Sequence, residues 1–132
     1  GKQAANKSKA LFNLLESRRL LFATSLDISQ PNELVSALEA YLQVETDAAA
    51  KLKAQVGVGD GLRSTGNSPL AVPIYRKVLE SDPNHVEATG GLGLSLFDVG
   101  VSNTNKEQMQ EGLNIMQRFT EIAPDTHPLK AS

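Results

Sequence analysis

Gly57, Gly59, Leu62 and Gly66 recur, residue type for residue type, as Gly91, Gly93, Leu96 and Gly100, each pair 34 residues apart. A fixed period of this size is the signature of stacked helix–turn–helix units, each too small to bury its apolar face alone. It argues against a single wound domain before any composition is considered. Ala37 and Tyr41 stand one period ahead of Ala71 and Tyr75, so the pattern reaches back well before residue 57.

Apolar spacing divides the chain into six helical segments. In 3–28, Leu11, Leu15, Phe22 and Leu26 share a face, and the segment stops before Pro31, which disfavours helical geometry at Gln30. In 32–46, Asn32 reads as the N-cap and Leu34, Ala37, Leu38, Tyr41, Leu42 and Val44 form the apolar face. In 47–65, Asp47 caps a run of three alanines, and Gly57, Gly59 and Gly61 follow. Each of those glycines costs about 1 kcal/mol relative to Ala in a helix. The recurrence of two of them one period later favours a helix packed very close to a neighbour over a loop, with Gly66 just past its end. In 68–81, Ser68 reads as the N-cap and Pro69 as the first turn, while Pro73 costs a backbone hydrogen bond; Val72, Tyr75, Val78 and Leu79 pack. In 84–99, Leu92, Leu96 and Phe97 pack and Gly100 closes the helix. The turn 101–106 holds about one extra helical turn of residues, as insertions between repeats do. In 106–122, Leu113, Ile115, Met116 and Phe119 face inward, and His127 opens a seventh helix that is cut short.

Within the best unit, Gly59, Ala71, Tyr75 and Pro83 stand at the spacing of the tetratricopeptide repeat, and the chain resembles that family over residues 18–124. The units run approximately 18–51, 52–85 and 86–126. The third keeps Gly93, Leu96, Gly100 and Pro124, with Gly112 in the alanine position and Met116 in the aromatic one. The large aromatic often found early in the family's first helix is replaced by Leu21, Gln55 and Thr89. The resemblance implies an all-α, right-handed α-solenoid of about three repeats, six helices plus the truncated seventh, in one domain. It also implies a concave groove, lined mainly by the first helix of each pair, that receives a peptide or a partner helix. Lys53, Val56, Asp60 and Arg63 would line it from 47–65, Glu87, Leu94 and Phe97 from 84–99, and Arg19 and Phe22 from 3–28. Some family members clamp a chaperone's terminal carboxylate with Lys and Asn. Lys53 is in place here, but the asparagines are missing, which disfavours a chaperone adaptor.

Catalytic readings fail on spacing. Gly57 to Thr65 is glycine-rich, but Leu62 stands where a phosphate loop needs its second Gly, and no Lys follows. The dinucleotide fingerprint fails too: Ser64 replaces its last Gly and no strand precedes it. His85 and His127, without ligand-spaced carboxylates, read as polar residues near helix starts rather than a metal site. No Gly-x-Ser-x-Gly elbow occurs, and Glu39 and Glu45 read as solvated helix surface. Neither an enzyme nor a cofactor is expected.

Composition narrows the partners. With 13 Lys and Arg against 15 Asp and Glu, the net charge of −2 argues against nucleic acid. The absence of cysteine removes disulfides and thiolate zinc sites. No apolar run approaches the roughly 20 residues of a membrane helix, and no signal-peptide pattern is present. Cytoplasm and periplasm are equally open. Gly1 reads as a cloning scar and Lys130-Ala131-Ser132 lack a helix-ending signal, so a fragment of a longer protein is expected. The expected role is a non-catalytic scaffold or adaptor that binds a protein partner. Its rivals are a structural repeat that self-associates through an uncapped C-terminal end, and an accessory domain of a larger enzyme or secretion complex.

Overall fold

The structure, a computed structural model, describes residues 30–125 and residue 127. All regular structure among them is helical, in five helices: α1 (Pro31–Val44), α2 (Ala48–Ser64), α3 (Ser68–Ser81), α4 (Val86–Ser102) and α5 (Lys106–Ile122). The expected helix at 3–28, with Arg19 and Phe22, and the part of the expected seventh helix beyond His127 lie outside the described residues. The chain divides into two compact units, Gly1–Ala54 and Gln55–Ser132, with the boundary inside α2.

In the first unit, α1 buries Leu34, Ala37, Leu38 and Tyr41, a stripe at three- and four-residue spacing. The helix starts one residue earlier than the sequence suggests. Pro31 has the fixed φ that suits a first helical position, so Gln30 becomes the N-cap and Asn32 falls inside. Glu45 departs furthest from expectation: it is 4% exposed rather than solvated. Its Oε2 accepts from the Tyr41 hydroxyl at 2.8 Å, and its Oε1 from the backbone N–H groups of Thr46 and Asp47 at 3.1 Å each. A carboxylate that accepts three hydrogen bonds replaces its water shell, which makes its burial tolerable. Asp47 then caps α2 as expected, its Oδ1 accepting from Ala49 N at 3.3 Å.

The second unit opens with residues 55–64 of α2, which end in a complete Schellman stop. Asn67 N donates to Leu62 O at 2.8 Å and Gly66 N to Arg63 O at 3.3 Å, with Gly66 at φ +83°. The end of α4 repeats this geometry at a different place. Asn105 N donates to Gly100 O at 2.8 Å and Thr104 N to Val101 O at 3.2 Å, with Thr104 at φ +52°. Gly100 therefore does not close the helix. It lies inside, where a Cβ would come within 2.6 Å of Met109 N on α5. The helix runs on to Ser102, so the extra residues expected in a loop add a helical turn instead.

Thr104 is the sole non-glycine residue with positive φ among the described residues. A β-branched residue in the left-handed region carries a penalty of roughly 1 kcal/mol or more. Thr104→Gly is expected to raise the unfolding free energy by about 1 kcal/mol in a urea titration, and Gly66→Ala to lower it by a similar amount.

Close approaches of the helices in this unit are made at glycine. α4 packs against both α3 and α5. The Tyr75 ring, fully buried, lies where Cβ atoms at Gly59 and Gly91 would stand, 2.8 Å and 2.3 Å from its nearest atoms. Gly93 and Gly112 bring α4 and α5 together backbone to backbone, and Phe119 covers Gly90. Val58, Leu62, Ala71, Val78, Ala88, Leu92 and Leu96 complete the core. Two further expectations are corrected here. Leu113 is 44% exposed rather than inward, and Gly57 has nothing within 4 Å of its would-be Cβ. Ser68 is the first residue of α3, not its cap. Asn67 holds that position without a side-chain capping bond, and the buried Ser68 hydroxyl donates instead to Asp98 Oδ2 at 3.2 Å.

At the start of α4 the cap is His85, whose Nδ1 accepts from Ala88 N at 3.2 Å, while the Asn105 Oδ1 caps α5 through Gln108 N at 3.1 Å. Arg118 Nη2 donates to Asn84 Oδ1 at 2.9 Å, and Arg76 pairs with Glu111 at 2.9 Å. Both partners of that ion pair are about half exposed, so it contributes little to stability.

Candidate functional site

The expected groove residues separate into several environments. Asp60 and Arg63, three residues apart on α2, converge on the hydroxyl of Tyr75 from α3. Tyr75 donates to Asp60 Oδ1 at 2.5 Å, Arg63 Nε donates to the same hydroxyl at 3.4 Å, and the guanidinium lies 3.9 Å from the carboxylate. The ring belongs to the core, while Asp60 and Arg63 remain partly open to solvent. Core packing thus fixes where these two charges stand.

Burial, and then the Asp60 carboxylate, push the Tyr75 phenol well above its ordinary 10, and Arg63 opposes the shift. The sign of the resulting pH dependence follows. Below about pH 10 the phenol is protonated in both folded and unfolded chains, and the stabilisation is complete. Above it the unfolded chain releases a proton that the folded chain keeps, so stability falls until the folded phenol itself ionises. The slope approaches about 1.4 kcal/mol per pH unit. Tyr75→Phe is expected to remove this component. Unfolding free energies of parent and variant should therefore converge as pH is raised from about 8 to about 11.5, and a constant difference over that range would contradict the assignment.

Glu87, at the start of α4, is exposed and paired through Oε1 with His127 Nε2. The His127 ring also meets Phe119 edge-on at 5.0 Å, and its backbone N–H donates to Pro124 O at 2.9 Å. Leu94 and Phe97 are half-buried on α4. Val56, expected on the groove surface, is buried. In the first unit, Lys53 is exposed. Within the second unit, then, Asp60 and Arg63 come together around one hydroxyl. Glu87 is held by a different partner, and Val56 is core.

Two pairings escape sequence inspection. Ser68 with Asp98 and Glu87 with His127 lie 30 and 40 residues apart, and neither separation is a multiple of the repeat. The Tyr41–Glu45 pair was within reach, because residues four apart on a helix are neighbours and a buried Tyr needs a partner for its hydroxyl.

Among the described residues there is no group of three or more His, Asp or Glu placed to hold a metal ion, and no helix long and apolar enough to cross a membrane. Comparison with family models, with curated proteins and with solved structures finds no match for this chain.

Proposed function

We propose that this chain is a non-catalytic interaction module built from tetratricopeptide-like helical repeats, which binds a peptide or helix of a protein partner in a groove. The observation that carries this reading is the placement of Asp60 and Arg63. Opposite charges, partly solvent-exposed, are anchored by a buried tyrosine instead of swinging freely. Preorganised polar groups lose little side-chain entropy when a ligand arrives, which favours recognition. Half-buried Leu94 and Phe97 on α4 supply apolar contact area for an amphipathic segment. The 34-residue period supports the repeat reading, and its mates Gly59 and Gly93, set against Tyr75 and Met116 of the following helix, give it a packing rationale.

The test is selection of binding peptides from a displayed library, followed by calorimetric titration against the parent and an Arg63→Ala, Leu94→Ala double variant of matched helical content. One-to-one binding by the parent that weakens at least about tenfold in the variant supports groove recognition. Failure to select any peptide, or equal affinity for both proteins, overturns it.

A further inference from the structure

We propose that a pocket at the C-terminal end of α4 receives the side chain of a lysine presented by a partner peptide. The pocket lies wholly in the second unit. It is open to solvent, has a volume of about 370 Å3, and runs between the Gly66 turn with the start of α3 and the last two turns of α4. That volume is at the lower end of the range for sites that enclose a small ligand group. Its walls include Pro69, Phe97, Val99 and Val101, and its charged lining residue is Asp98. Val101 is 53% exposed, one of two large hydrophobic residues that solvated among the described residues. An apolar wall with one carboxylate matches a side chain that has an apolar stem and a positive tip.

Three further observations favour a cation. No basic residue lines the pocket, so no cation of the protein itself neutralises Asp98 there. The pocket is at the C-terminus of a 17-residue helix whose last turn contains no Lys or Arg, and that end of a helix carries partial negative charge. Phe97 adds an aromatic residue to the lining, the residue class that attracts ammonium groups.

Ser68 selects lysine over arginine. Its hydroxyl, buried at the pocket wall, donates to Asp98 Oδ2 at 3.2 Å and fixes the carboxylate. Oδ1 has no donor from the described residues. With Oδ2 already engaged by Ser68, Oδ1 is the stronger remaining acceptor, which suits a point-like ammonium better than a bidentate guanidinium fork.

This proposal rests on the interaction-module reading only in taking a peptide as the occupant. Its test uses blocked Gly-Gly-Lys-Gly-Gly, with norleucine and arginine counterparts, titrated into isotopically labelled protein and followed by amide chemical shifts. The lysine peptide should move the amides of Gly66, Val99, Val101 and Ser102 with a dissociation constant on the order of 1 mM, as expected for a single side-chain contact. Norleucine, Asp98→Asn and raised salt should each weaken the response at least about fivefold. Equal response to norleucine would make the pocket merely apolar. Tighter binding of the arginine peptide would assign the wrong cation, and unmoved amides at peptide concentrations on the order of 10 mM would remove the site. Any of these three overturns the proposal. None bears on the groove titration, which uses other peptides and other variants.

Discussion

A single methyl group at position 112 is expected to destabilise the protein by about 2 kcal/mol. The Cβ of Gly112→Ala would stand 2.7 Å from both Gly93 O and Phe97 N, and 3.2 Å from Phe97 Cα. All three are backbone atoms of α4, so no rotamer change relieves the contact and one helix must move. Overpacking of this kind costs roughly 1–3 kcal/mol and sometimes more. Against it stands the better helix propensity of Ala, worth about 1 kcal/mol. The steric term wins because displacing α4 also disturbs the contacts at Gly93, Gly100 and Gly90 along the same helix. Urea unfolding monitored by circular dichroism reads the result directly. A variant as stable as the parent would mean that the helices do not cross this closely.

The second large effect is a difference in sign between two glycines that the sequence makes equivalent. Gly91→Ala is expected to cost about 3 kcal/mol, because its Cβ would lie 2.3 Å from Tyr75 Cζ and 2.7 Å from the hydroxyl oxygen. The ring has little room to turn: it is fully buried and Gly59 also lies close against it. Gly57→Ala, one period earlier, is expected to gain about 1 kcal/mol, since that position is exposed and a methyl there meets nothing. Placing Gly91→Ala in a Tyr75→Leu background should shrink its cost by more than about 1 kcal/mol, the coupling expected of residues in direct contact. Additive effects would contradict the packing around Tyr75.

These two glycines also show how far the sequence could be read. Apolar spacing places the five described helices to within a few residues and Tyr75 among the packing residues, because those depend on local pattern. The period could not show that identical residues at matched positions do different work. Gly66 is a left-handed stop, while Gly100 is an interhelical contact, since the chain between them gains a turn of helix and hands the stop to Thr104. The 41-residue step from Ala71 to Gly112 was visible, but not that helix growth absorbs the surplus. Of the expected groove, the spacing of Asp60 and Arg63 placed them together. Their attachment to Tyr75 depends on where α3 lies, which no local pattern encodes. Glu45 departs from the solvated position that an acidic residue at a helix end usually takes. Here the Tyr41 hydroxyl and two turn amides supply the missing water.

The glycines that let α4 fit its neighbours leave it poorly able to exist without them. Four of its 17 residues are glycine, a propensity deficit of about 4 kcal/mol relative to alanine. An excised peptide of this sequence would be a statistical coil, as short helices without such a handicap are already marginal in water. α5, with a single glycine in the same length, is the better formed on its own terms. Order in α4 is therefore borrowed: it condenses on α3 and α5 as they come together, so the three helices gain and lose structure as one cooperative block. Unfolding of the second unit should leave no species in which α4 survives alone.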